Sequence, residues 1–110
     1  MDRWNEINIK GISGIDKLVA EFQIWEIATV PSGKFKVKVF ENERGSFKGF
    51  TNVGMVVNGT PEFGVGSGNT IELALEDTIR NFVSEMNDKK TIKSDELTDE
   101  DFAWADPHDF

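Results

Sequence analysis

The sequence contains no cysteine and only one histidine, and its apolar runs are short. Without cysteine the chain has no disulfide bonds, no thiolate nucleophile and no thiolate metal site. No segment reaches the roughly 18 apolar residues that a membrane-spanning helix needs. The first ten residues also lack the pattern of a signal peptide. We therefore expect a cytoplasmic protein that makes no contact with a membrane.

The single histidine, His108, stands close to the end of the sequence. It has no second histidine with which to bind a metal ion and no neighbouring serine to activate as a nucleophile. Carboxylate pairs such as Glu41 and Glu43 fall at the edge of a loop, where nothing indicates a pocket. The sequence therefore predicts a protein that is not an enzyme and that uses no metal ion or cofactor.

The negative charge is concentrated near the end of the chain. Residues 1–90 carry 13 acidic and 11 basic side chains, whereas residues 91–110 carry seven acidic side chains and only Lys93 as a base. The net charge of −8 therefore belongs mostly to the last twenty residues. A nearly neutral body with an acidic tail remains compatible with a nucleic-acid partner.

A helix is predicted over residues 69–86, capped by Asn69 and Glu72 and ending at Asn87. Glu76 and Arg80 are spaced to form an ion pair on its surface. Apolar residues recur at steps of three and four and define the stripe expected to be buried: Ile71, Leu75, Ile79, Phe82, Val83 and Met86.

Alternation of apolar and polar residues predicts strands before this helix. The clearest are residues 34–41 and 47–57, which are joined by a hairpin loop at residues 42–46. Asn58-Gly59 is a strong hairpin signal, and residues 60–65 are predicted to return as a short strand. The glycine-rich residues 64–68 are interpreted as a structural turn, because the acids that follow would repel a phosphate.

Two earlier segments are less clear. Residues 5–10 alternate weakly and are a further candidate strand. Residues 18–30 fit strand and helix spacing, and their valine, isoleucine, phenylalanine and tryptophan content favours a strand. If residues 14–28 form a helix instead, the order resembles the double-stranded-RNA-binding fold. The basic patch of that family is missing, because acidic residues stand in its place: Glu72, Glu76 and Asp77.

These elements predict an α+β fold in which one C-terminal helix packs on an antiparallel sheet of four or five strands. Residues 1–90 form the expected single domain and residues 91–110 an acidic tail.

Cations and aromatic rings share the predicted solvent face of the 34–50 hairpin. Single-stranded DNA is bound by cations that contact phosphates and by rings that stack on bases. A solvated strand face, whose lysines prevent aggregation, is the alternative. The two phenylalanines favour the binding site, for which the candidate residues are Lys34, Lys36, Lys38, Phe40, Arg44, Lys48 and Phe50.

The tail combines acids with aromatic residues and closes on Phe110. In this it resembles the C-terminal tip of single-stranded-DNA-binding proteins, although Pro107 is followed here by three residues instead of one. The resemblance implies docking to protein partners, with Phe110 as the anchor. The alternatives are a solubilising tail or a segment that folds back on the body. The candidate partner-binding residues are Asp99, Glu100, Asp101, Phe102, Trp104, Asp106, Asp109 and Phe110.

The order of strands and helix also resembles that of the PC4-like and Whirly-like single-stranded-DNA-binding proteins. This resemblance implies a sheet that carries the DNA and a homodimer. Leu73, an apolar residue on the side of the predicted helix opposite the stripe, hints at a second interface. We therefore expect a small accessory protein that binds single-stranded DNA and recruits partners through its tail. The alternative is an acidic protein inhibitor, encoded by a phage or mobile element, that mimics DNA and blocks a nucleic-acid-binding protein.

Overall fold

The alternating segments of the sequence form an antiparallel sheet that carries one helix on one face. The structure, a computed structural model, describes residues 3–110. The first four strands pair in chain order, and the fifth pairs with the third. This confirms the predicted α+β fold. Its elements are β1 (Lys17–Trp25), β2 (Lys34–Glu41), β3 (Phe47–Val57), β4 (Thr60–Gly68), α1 (Ile71–Lys93) and β5 (Phe102–Trp104).

The hairpins follow their local turn chemistry. β2 and β3 have the predicted bounds, and Asn58 and Gly59 both have positive φ angles, of 51° and 79°, as the tight turn between β3 and β4 requires. The segment whose spacing fitted both strand and helix forms strand β1, so the helix considered for residues 14–28 is wrong. The strand suggested for residues 5–10 is also wrong. Ile7 and Ile9 are exposed there, so the segment has no buried face that would hold it in a sheet.

Helix α1 begins and ends later than predicted. The Thr70 hydroxyl, not the Asn69 side chain, caps the helix by accepting a hydrogen bond from the Leu73 amide at 3.1 Å. The helix continues to Lys93 and stops where Ser94 takes a left-handed conformation with φ 57°. The boundary predicted after residue 90 therefore falls inside the helix.

The buried face of α1 is formed by smaller residues than the apolar stripe indicated. Ala74, Thr78, Phe82 and Met86 are buried, whereas Val83 is 36% exposed. Of the other predicted stripe residues, Ile71, Leu75 and Ile79 are only partly buried. The large aliphatic side chains of the helix therefore lie on its flank, and the predicted stripe is wrong in this respect.

The glycines of β4 explain why the buried face of α1 differs from the predicted stripe. A Cβ atom on Gly66 would lie 2.6 Å from the Cα atom of Thr78, and one on Gly68 would lie 2.7 Å from the amide nitrogen of Ala74. The helix backbone thus rests directly on β4, where only glycine leaves room for it. Residues 64–68 are the end of a strand and not the predicted turn.

The core lies between α1 and the facing side of the sheet. The rings of Phe35 and Phe82 meet at 4.9 Å between their centroids, and Val37, Val39 and Met55 are fully buried beside them. The helix packs mainly on β4 and β3 and less extensively on β2, and the inward side chains of β1 pack at the margin of the core. No helix within residues 3–110 is long and apolar enough to cross a membrane.

The chain after α1 returns to the sheet. β5 pairs with the second half of β3, with Phe102 opposite Met55, on the same edge that β2 occupies in the first half. Asp101 is buried and accepts a hydrogen bond from the Lys93 ammonium group at 2.7 Å. This bond, with a second from the Thr98 amide, lowers the pKa of the Asp101 carboxyl. Part of the predicted tail is therefore built into the folded body.

Candidate nucleic-acid interface

We call the side of the sheet that faces away from α1 the open face. Because side chains alternate along a strand, burial of Phe35, Val37 and Val39 against the helix turns their neighbours in β2 outward. The residues of β2 on the open face are therefore Lys34, Lys36, Lys38 and Phe40. This is the arrangement that the alternating sequence predicts.

The register between β2 and β3 sets lysines against phenylalanines. Lys38 is opposite Phe50, and Phe40 is opposite Lys48. The rings of Phe40 and Phe50 are therefore diagonal neighbours, with centroids 5.9 Å apart and planes at 73°. The Lys48 ammonium group lies 5.5 Å from the Phe50 ring. Both rings are half-buried, so each presents part of its surface to solvent.

The remaining cations of the candidate site differ in their exposure and in their distance from carboxylates. Lys34 and Lys36 are exposed, and the Lys36 ammonium group lies 3.8 Å from the Glu21 carboxylate. Only 18% of the Lys38 side chain is exposed, and its ammonium group lies 3.9 Å from the same carboxylate. Arg44 belongs to the loop between β2 and β3 and stands at the end of the open face.

Two aromatic residues of the open face were missed by the sequence analysis. Trp25 is 65% exposed and opposite Lys34, whose ammonium group lies 5.4 Å from its ring centre. Phe63 of β4 stands beside Phe40 and Phe50. The alternation of β1 would have indicated Trp25, because it has the same parity as Glu21. Phe63 gave no such signal, since its neighbours are proline, glutamate and glycine.

The end of the tail lies in a cleft on the open face. The cleft has a volume of about 330 Å³ and is lined by Lys38, Phe40, Phe50, Phe63 and Phe110, among others. The Lys38 ammonium group lies 4.6 Å from the centre of the Phe110 ring and donates a hydrogen bond to the main-chain oxygen of the same residue. Phe110 therefore covers the centre of the candidate site.

Residues 105–110 lead from β5 to this cleft. The Ala105 amide donates to the main-chain oxygen of Asn52 at 2.8 Å, which continues the alignment of β5 along β3. The chain then turns around Asp106, whose main-chain oxygen accepts hydrogen bonds from the amides of Asp109 and Phe110. Its carboxylate also accepts one from the His108 amide.

The predicted partner-binding residues of the tail occupy different environments. Asp101 and Phe102 are buried in the body, whereas Asp99 and Glu100 are exposed. Trp104 is 43% exposed and stands in β5 with its side chain on the helix side of the sheet. The tail thus contains the short strand β5 and a closing turn, and two of its predicted partner-binding residues are buried.

Another concentration of negative charge lies away from the open face. Burial raises the pKa of the Glu85 carboxyl to about 6, and the nearby carboxylates of Glu62 and Asp88 add to the effect. These three side chains line a cavity beneath the C-terminal half of α1. Among residues 3–110 no group of acidic or histidine side chains is arranged to hold a metal ion.

Comparisons of the chain with protein-family models, with curated proteins and with solved structures find no match.

Proposed function

We propose that this protein binds single-stranded nucleic acid on its open face. The observation that carries the proposal is the cross-strand arrangement of lysines and phenylalanines, with Lys38 opposite Phe50 and Phe40 opposite Lys48. A single strand needs cations along its phosphates and rings for its bases, at neighbouring positions. A merely solvated strand face would need the lysines but not two half-exposed rings between them.

The groups of the open face would divide the binding between them. Lys34, Lys36 and Lys48 are exposed and would contact phosphates. Phe40 and Phe50, joined by Trp25 at the outer strand, would stack on bases. The sheet supports these residues rigidly, because their backbones pair in the ladders between β1 and β2 and between β2 and β3. Binding would therefore require little rearrangement of the strands.

The tail gives this proposed site a competitor within the same chain. Phe110 offers the Lys38 ammonium group an aromatic ring and an oxygen acceptor, the same two chemical features that a nucleotide offers. A bound strand that uses Lys38 must displace Phe110. The displaced residues 105–110 would then be free to meet a protein partner.

The proposal is tested by a fluorescence-polarisation titration of labelled oligo-dT at 50 and 200 mM salt. If Lys34, Lys36, Lys48 and, once Phe110 is displaced, Lys38 each contact a phosphate, affinity is expected to fall about 50-fold between these concentrations. Replacing Lys34 and Lys36 by alanine should reduce the fall to about 7-fold, because two contacts are lost. The control variant changes Arg80 and Lys90, two exposed cations of α1 on the other side of the sheet, and should behave like the original protein. Absence of binding at 50 mM salt refutes the proposal.

Replacing Phe110 by alanine is expected to strengthen oligo-dT binding by about 3- to 10-fold, because the ring no longer holds Lys38. The same titration at 50 mM salt measures the change. Trp104→Ala is the matched control, since it removes an aromatic residue of the tail that does not contact Lys38. Unchanged or weaker binding by Phe110→Ala would show that the tail does not compete with the strand.

The acidic-inhibitor hypothesis has less support from the arrangement of charges. Three lysines near the end of α1 stand beside the acids of the tail: Lys89, Lys90 and Lys93. The Lys90 ammonium group lies 3.8 Å from the Glu96 carboxylate, and Lys93 is paired with Asp101. A protein that mimics DNA needs unpaired carboxylates, and these two ion pairs engage two of the seven acids of residues 91–110.

A further inference from the structure

The two outer edges of the sheet differ in whether side chains bond to their main-chain groups. At the β4 edge, the Asn81 side chain donates a hydrogen bond to the Val65 main-chain oxygen at 2.7 Å. The Asp77 carboxylate accepts one from the Ser67 amide at 2.9 Å. Two side chains of α1 are therefore hydrogen-bonded to main-chain groups with which a further strand would have to pair. This edge is protected against pairing with a further chain.

Between Ala20 and Ile24, the β1 edge has no such side-chain hydrogen bonds among the described residues. β1 is nine residues long and pairs with β2 alone. Between Ala20 and Ile24 it has no proline, and its one charge, Glu21, lies over the open face towards Lys36 and Lys38. A long edge strand of this kind is a template for pairing with another chain.

An apolar trough accompanies this edge on the helix side of the sheet. Because Asp77 and Asn81 reach the β4 edge, the opposite flank of α1 is directed towards β1. Leu75, Ile79 and Val83 lie on that flank. With the charged residues Glu72, Glu76 and Arg80 of the same helix, they line a groove of about 460 Å³. The helix packs chiefly on β4, β3 and β2, and the inward side chains Phe22 and Ile24 of β1 contact the core but are only half-buried.

We propose that a second copy of this chain pairs with the β1 edge, antiparallel and centred on Phe22. A two-fold dimer of this kind uses the same strand of both copies. Pairing centred on Glu21, the midpoint of β1, would oppose two carboxylates. If the pairing is centred on Phe22 instead, Glu21 is opposite Gln23 of the second copy. Moving the centre by one residue shortens the paired segment only slightly. It also brings two Phe22 rings together on the helix side.

This dimer would extend both faces of the molecule. The apolar troughs of the two copies meet beside the paired strands, which lowers their exposure to water. The open faces join into one surface. Because Trp25 is opposite Val19 of the second copy, the Trp25 and Lys34 pair of one copy lies about 20 Å along the strands from the same pair of the other copy. Leu73, the residue that first hinted at an interface, stays in solvent. The pairing itself does not depend on nucleic-acid binding.

Sedimentation equilibrium of the full chain from 1 to 100 µM, without nucleic acid, tests the proposal. We expect a reversible dimer. Gln23→Lys sets an ammonium group opposite Glu21 twice per dimer and should lower the dimer dissociation constant by about 2- to 30-fold. Gln23→Glu should raise it by a similar factor. Ser84→Lys and Ser84→Glu, on the exposed side of α1, are matched controls and should change nothing.

Cross-linking tests the register independently. Because the chain has no cysteine, Glu21→Cys and Gln23→Cys each introduce a single thiol. Mixed and oxidised, the two variants should form a disulfide-linked dimer, whereas either variant alone should not, since its thiols are too far apart. A monomer at 100 µM overturns the proposal. So does a dimer that ignores both changes at Gln23, or equal cross-linking by each variant alone.

Discussion

Replacing Phe40 and Phe50 together by alanine is expected to weaken binding of oligo-dT by about 30-fold or more. Stacking of one base on an aromatic ring contributes about 1–3 kcal/mol, and two rings are removed. The rings lie at 5.9 Å from each other on the open face, so one strand can use both. Fluorescence polarisation at 50 mM salt measures the loss.

Two further variants separate stacking from a loss of fold or of apolar surface. Phe40→Leu with Phe50→Leu keeps apolar side chains in the cleft but removes both rings, and should lose most of the affinity while melting close to the original protein. Leu73→Ala removes an exposed apolar side chain from α1 and should bind normally. Affinity within twofold of the original after loss of both rings would exclude base stacking on this face.

Replacing Gly66 by alanine is expected to destabilise the fold by about 3 kcal/mol or more. The added Cβ atom would lie 2.6 Å from the Cα atom of Thr78 and from the carbonyl carbon of Asp77. Both are backbone atoms of α1, so no rotamer change relieves the overlap and the helix must move off the sheet. Thermal unfolding followed by circular dichroism should show a Tm lower by about 10 °C or more.

A second glycine provides the control for this experiment. Gly14 has an ordinary φ angle, and an added Cβ atom would find its nearest neighbour, a Glu43 side-chain oxygen, at 3.9 Å. Gly14→Ala should therefore melt within a few degrees of the original protein. If Gly66→Ala melts equally close, the helix does not rest on β4 as described.

The contact between α1 and β4 also determines where a ligand can bind. By covering β4, β3 and β2 from one side, the helix leaves the other side of the sheet bare. β3 is eleven residues long, and its one edge holds β2 and then β5. The tail is thereby delivered to the open face, where Phe110 reaches Lys38.

The shared face of the candidate residues was readable from the sequence, whereas its full composition was not. A period of two in Lys34–Phe40 and in Lys48–Phe50 places lysines and phenylalanines on one side of any strand pair. Phe63 and Phe110 join them only because β4 and the tail come to lie beside β2 and β3. Such neighbours depend on contacts between distant parts of the chain.

The sequence by itself determined the strands, the Asn58-Gly59 hairpin and the sidedness of β2 and β3, because alternation and turn chemistry act between near neighbours. Only the tertiary structure decided which face of α1 is buried and where the tail lies. The large side chains on the helix predicted one face, but the glycines of β4 admit the smaller Ala74 and Thr78 more closely. The fold-back of β5 likewise depends on a free stretch of β3, which no local pattern in the tail reveals.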